Sequence, residues 1–163
     1  MTTPTWTQHM DDALTEARRA LRLHGPPDVP IGAVIIDAHG HTIAAAHNER
    51  ELTQDPTAHA EILAIRKAAT HLGTWRLDQC TLVVTLEPCA MCAGAIVLAR
   101  IPRIVIGAWD PKAGATGSVF DIVRAPQLNH FVEVIPGIRA ADSATLLTEF
   151  FATHRDTTTP TTP

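Results

Sequence analysis

The chain is short of cysteine, of positive charge and of long apolar runs, and each shortage excludes something. Three cysteines in 163 residues cannot form a complete set of internal disulfides, so the fold must rest on an ordinary hydrophobic core, and the thiols are read as reduced in a cytoplasmic setting. No apolar stretch reaches the ~18 residues that would suggest a membrane span, and no basic-then-apolar leader opens the sequence. Lys and Arg number 13 against 17 Asp and Glu, a formal net charge of −4. A nucleic-acid binder usually carries an excess of cations. The balance shifts locally, however: Arg100, Arg103, Lys112, Arg124 and Arg139 face only Asp110, Asp121 and Glu133 between residues 100 and 139. Charge alone therefore neither supports nor excludes an RNA partner. There is no internal repeat and no internal domain boundary.

What is present is an alternation of element-length patterns. Residues 1–6 are read as a flexible tail. From about residue 7 to residue 23, Met10, Ala13, Leu14, Ala17, Ala20 and Leu21 fall at helical spacing, with acids early and arginines late. "HGPPDVP" stops that helix, and "IGAVIID", a turn at "AHG" and "HTIAAAH" predict a hairpin. "NERELTQDPT" is a polar loop. "AHAEILAIRKAATHLG" is a helix ending at Gly73, "TLVVTL" a buried strand, and the segment beyond it a helix to about Arg100. "RIVIGA" and "FVEVI" complete five strands, the second of these spanning residues 131–135. A last helix starts with Asp142 as its cap. Residues 156–163, "DTTTPTTP", are low in complexity and read as a disordered tail. Strand–helix–strand–helix–strand in the middle implies some parallel pairing with helices on both faces, in one domain over residues 7–155.

"TLEPCAMCAGAI" (85–96) carries the chemistry. Cys89 and Cys92 stand at i and i+3 near a helix start, so their thiols share a face. A disulfide, a redox pair and a metal are all possible readings of such a pair. A helix N-terminus favours thiolate, and two thiolates side by side repel unless a cation lies between them, which favours a metal. Zinc takes four ligands from Cys and His, three of them protein groups when one position is left for water. Cys80 has no Cys or His partner at finger-like spacing and is read as a small buried residue. His59, 30 residues before Cys89 and at the start of another helix, is the candidate third ligand, since helices on one face of such a sheet can bring their N-termini to one edge. Glu61, two residues on, could act on a metal-activated water as general acid and base without binding the metal. Taken singly, each of these residues has an ordinary structural use; their coincidence is what points to a site.

The pairing of His-x-Glu with Pro-Cys-x-x-Cys is the signature of the zinc-dependent nucleobase deaminases. "DPTAHAEILAIR", "TLVVTLEPCAMCAGAI" and "DPKAGATGSVFDI" bring the resemblance closer, to the bacterial tRNA-specific adenosine deaminases of the cytidine/deoxycytidylate deaminase superfamily. It extends from about residue 7 to residue 154. The resemblance implies a cytidine-deaminase-like, three-layer α/β/α sandwich on a five-stranded mixed sheet. It also implies one Zn2+ per chain on His59, Cys89 and Cys92, with Glu61 shuttling protons, and a homodimer acting on a tRNA anticodon stem-loop. By the same resemblance Asn48 hydrogen-bonds the target base, Val29 and Pro30 belong to the pocket wall, and Asp110 and Phe151 lie beside the bound loop. The sequence departs from that pattern where Trp109 and Phe131 replace cations and where a Thr/Pro tail replaces a basic extension; each change removes phosphate-binding charge. Two other readings stand beside this one: a deaminase of free guanine, cytosine or cytidine, and a non-catalytic, zinc-stabilised RNA-binding module.

Overall fold

A computed structural model describes residues 5–22 and 24–155. Its element order is α1 (Trp6–Arg19), β1 (Gly32–Ile36), β2 (Thr42–His47), α2 (Arg50–Thr53), α3 (Ala60–Leu72), β3 (Thr81–Leu86), α4 (Ala90–Leu98), β4 (Arg103–Ala108), β5 (Glu133–Ile135) and α5 (Ala140–Arg155). The five strands form one mixed sheet in the order β2-β1-β3-β4-β5. β1 pairs antiparallel with both β2 and β3, while β3–β4 and β4–β5 are parallel.

Side-chain alternation along the strands divides the core in two. Ala33, Ile35, Leu82, Val84, Ile104 and Ile106 face α3 and α4, where Ala60, Ala64, Ala68, Ala93, Ile96 and Val97 meet them. Val34, Ile36, Val83 and Val105 point the other way, onto Met10, Ala13 and Leu14 of α1 and Leu146 of α5. Strands covered on both faces read as continuous apolar runs, which is why "GAVII" and "TLVVTL" carry no polar alternation. The edge strand β2 does alternate in burial. The result is the expected α/β/α sandwich. Its α1 layer approaches closely: a Cβ on Gly32 would stand 2.0 Å from the Ala13 carbonyl oxygen and 2.5 Å from the Ala17 nitrogen, so only glycine fits there.

Several boundaries differ from the sequence reading. α1 begins at Trp6, and Thr5 is its cap in a reciprocal capping box with Gln8, so residues 5 and 6 belong to the fold and not to a tail. The helix ends at Arg19, because the chain turns back to hydrogen-bond Asp28 N–H to the Ala20 carbonyl and Arg22 takes a left-handed φ of 45°; residue 23 lies outside the described residues. The polar loop at 48–57 contains the short helix α2. β5 spans only residues 133–135. Asp142 is not the α5 cap: the helix opens at Ala140, and Asp142 sits in its first turn. Gly73 closes α3 in the left-handed region, as its position predicts. Residues 1–4 and the 156–163 tail lie outside the described residues.

Candidate metal and active site

The two helix starts on the α3/α4 face meet at one point. His59 and Cys89 occupy the N-cap positions of α3 and α4, both with extended backbone and neither using its side chain as a cap. Their side chains are thus directed away from their own helices. The turn before His59 is set by Asp55, which accepts from the Thr57 N–H at 2.8 Å and the Thr57 hydroxyl at 2.7 Å. The His59 Nδ1 lies 3.7 Å from Cys89 Sγ and 3.6 Å from Cys92 Sγ. All three potential ligand atoms fall within 4.8 Å of one another, the span expected of atoms sharing one tetrahedral ion with bonds of about 2.0–2.3 Å. Among the described residues, Cys80 is no part of this group; it is buried and its thiol is pushed up by that burial.

The electrostatics of the cluster favour a dication. A hydrogen bond from Cys92 holds the Cys89 thiol down to about 3, with His59 adding to the effect. Cys92 is pushed strongly the other way, by its bond to Cys89, by burial and by the negative charge of Glu61 and Cys89 around it. The second thiol cannot ionise beside the first unless positive charge sits between them. His59 is raised chiefly by its hydrogen bond to Cys89. Glu61 is 3% exposed, and its Oε2 has no hydrogen-bond partner. Burial raises its carboxyl to about 7. An orphaned buried carboxylate oxygen beside two sulfurs and an imidazole is explained if its partners are an activated water and a reacting base. The residues therefore fit a zinc ion, with His59, Cys89 and Cys92 as the holders and Glu61 left outside the coordination set.

A cleft of about 570 Å³ opens onto His59. Its walls include Val29, Asn48, Asp110 and Phe151, so four of the five residues expected to touch substrate line it. Pro30 is buried and is not a lining residue. Asn48 is fixed by accepting from the Ala60 N–H through Oδ1 at 2.9 Å, which leaves its amide NH2 as the group available to a ligand. Trp109, which could stack on a base as readily as pack, lines the cleft too, and so do Arg50, Pro111 and Lys112, which motif reading does not single out as contacts. Trp109 is 44% exposed. The wall carrying Trp109 to Ala113 is organised by Glu87, which sequence reasoning passed over although it stands in the quoted Glu-Pro-Cys run. Burial opposes ionisation of Glu87, but hydrogen bonds from Ser118, Asp110 and Thr116 hold its carboxyl below the usual range.

Residues 4–108 match the family model for the cytidine and deoxycytidylate deaminase zinc-binding region. The chain is 46% identical over 143 residues to the tRNA-specific adenosine deaminase of Bacillus subtilis, covering 88% of this chain and 86% of that one. A solved structure from work on A-to-I editing by tRNA:A34 deaminases at the wobble position superposes with a TM-score of 0.81 at 45% identity, covering 86% of this chain and all but 1% of the other (99% covered). A guanine deaminase from Nitrosomonas europaea shares the fold with a TM-score of 0.75 at 27% identity, over 93% of this chain and 87% of its own. The chain belongs to the zinc-dependent cytidine and deoxycytidylate deaminase family, and within it to the tRNA-specific adenosine deaminases.

Proposed function

We propose that this protein hydrolytically deaminates adenosine to inosine at the wobble position of a tRNA anticodon loop. The observation that carries the reading is the buried Glu61 carboxylate, with one unpartnered oxygen, held beside the His59–Cys89–Cys92 cluster. Zinc, when bound, makes water a competent nucleophile near neutral pH by lowering its pKa to about 7. Glu61 takes the proton released by the attacking water and passes it to N1 of adenine as C6 is attacked. The second proton, from the hydroxyl now on C6, passes through Glu61 to the exocyclic amine; the C6–N bond breaks, ammonia departs and the C6 carbonyl of inosine forms. Asn48, with Oδ1 committed to Ala60, presents N–H donors to a ring acceptor of the base. Val29 and Phe151 supply apolar wall, and Asp110, which lines the same cleft, is the residue assigned to the loop backbone.

The base must leave its stack to enter, and an unpaired anticodon loop makes that unstacking cheap. The chain acts in the cytoplasm as a homodimer. The large apolar side chains left exposed on α4, Met91 and Leu98, support an interface there. No helix among the described residues is long and apolar enough to cross a membrane.

The deciding assay presents the zinc-loaded protein with an anticodon stem-loop bearing adenosine at its first anticodon position, and in parallel with free guanine, cytosine and cytidine. Inosine is expected in the stem-loop alone. Turnover confined to the free bases would replace this reading with that of a base deaminase.

A further inference from the structure

A carboxylate with five hydrogen-bond donors and no role in the chemistry stands between the metal ligands and the cleft wall. Glu87 is 2% exposed and lies two residues before Cys89. Its Oε2 accepts from the Asp110 N–H at 2.9 Å and from the Ser118 hydroxyl. Its Oε1 accepts from the Thr116 N–H at 3.0 Å, the Ser118 N–H at 3.1 Å and the Thr116 hydroxyl at 3.3 Å. Among the described residues no cationic side chain pairs with it, so backbone and hydroxyl dipoles alone solvate the charge. Its own backbone N–H is bonded to the Ala108 carbonyl at 2.9 Å, and the next carbonyl, of Pro88, accepts from Ala115 N–H at 2.8 Å. Gly114 is paired across to Cys89 by an isolated bridge. A Cβ on Gly114 would stand 2.0 Å from Glu87 Oε2, so the loop is drawn in until only a glycine fits. Residues 110–118 are thus wrapped around one side chain rooted beside a metal ligand.

The outer side of that loop is the substrate side. Trp109, Asp110, Pro111, Lys112 and Ala113 line the cleft, while Glu87 does not touch it. The Trp109 indole also rests near Gly117, whose ideal Cβ would be 3.4 Å from the Trp109 Cη2. We propose that Glu87 is a positioning residue for RNA recognition: its carboxylate fixes the 110–118 loop, and through it Trp109, Asp110 and Lys112, at a set distance from the metal centre. The inference rests on the tRNA-deaminase reading and adds to it a residue that acts through the loop without contact to substrate or metal.

Glu87→Gln replaces one acceptor oxygen by an NH2 that faces N–H donors, so the loop must let go on that side. Ser118→Ala removes one donor and is the milder change. For both variants we expect zinc near one per chain. The KM for the anticodon stem-loop should rise, about tenfold or more for Glu87→Gln and less for Ser118→Ala, while kcat falls by less than about threefold. In a Trp6→Phe, Trp75→Phe background only Trp109 emits, and Glu87→Gln should shift its emission toward that of a solvated indole. A fall in kcat at unchanged KM, loss of zinc in step with activity, or unchanged kinetics and emission in both variants would each overturn the proposal. Should the wild-type protein leave the stem-loop untouched, the tRNA reading falls, whereas the Trp109 emission still decides whether Glu87 holds the loop.

Discussion

Burial does most to Glu61. The side chain sits in the first turn of α3, where an acid is ordinarily a solvated complement to the helix dipole. Here it is shut in, raised to about 7 and left with a free oxygen. Those properties suit a group that must take a proton and then give it back within one turnover. Glu61→Gln keeps the shape and removes the exchangeable proton. It should lower deamination roughly 10²–10⁴-fold, the usual weight of general acid–base catalysis, with metal content unchanged. Ammonia release and elemental analysis on one preparation check both halves; loss of zinc would show the carboxylate to be a ligand. The thiols divide in the same way. Cys92→Ser removes a ligand at the buried end of the cluster and should strip the metal. Cys80→Ser places a hydroxyl in a buried site with no metal nearby and should cost only about 1–3 kcal/mol, the penalty of an unpaired polar group, while zinc stays bound. A denaturant titration with metal analysis separates them.

At the scale of elements, the central strands β1, β3 and β4 were legible because they are covered on both faces. A run such as "TLVVTL" allows little else, and β4 was read to its bounds. The α3 stop was legible because Gly73 supplies a left-handed cap. Local hydrogen bonding overrode pattern elsewhere. The Thr5–Gln8 capping box starts α1 earlier than its apolar stripe suggests, and α2 is a single turn with no buried residue, so it leaves no apolar period to find. The metal site was readable because its ligands fall on two helix starts at fixed spacing. Glu87 and Arg50 were not, since their roles depend on a loop that packs back from 23 to 31 residues away and on a cleft assembled from six segments. α1 also carries a feature without a sequence signature. His9 is 3% exposed with an unpartnered Nδ1, and burial lowers its pKa below the ordinary value although Asp12 pulls the other way. Asp37 and Arg103 border the same small cavity. The folded state therefore holds His9 neutral while the unfolded chain binds a proton below about pH 6.5. Stability from this group is complete above that pH and is lost as pH falls through the depressed folded value. His9→Phe keeps a ring against Trp6 and removes the titration. Its urea midpoint should fall less than that of the parent between pH 7 and pH 5, and the two curves should run parallel above pH 7.

Taken as a whole molecule, the sandwich has two helical layers with unequal supports. The α1/α5 layer is held by apolar packing, with Arg139 pairing to Asp11 at 2.9 Å across it. The α3/α4 layer is lined largely by alanine, so its helices lie close to the sheet but each buried contact is small. One ion held by His59 at the start of α3 and by Cys89 and Cys92 at the start of α4 would tie those two helices to each other and to the end of β3. Any ligand that binds only the folded chain stabilises it by mass action, about 4 kcal/mol at a thousandfold excess over its dissociation constant. Removing zinc with a chelator should therefore lower Tm, and the loss should be local. Amide exchange should quicken first over residues 57–63 and 88–95 and in the 110–118 loop that leans on them. The α1 and central β1 amides should keep their protection until global unfolding. Restoring zinc should reverse both changes, whereas magnesium, which prefers oxygen ligands, should not. Uniform acceleration across both layers would mean that the ion supports the whole fold and that the α3/α4 layer has no separate dependence on it.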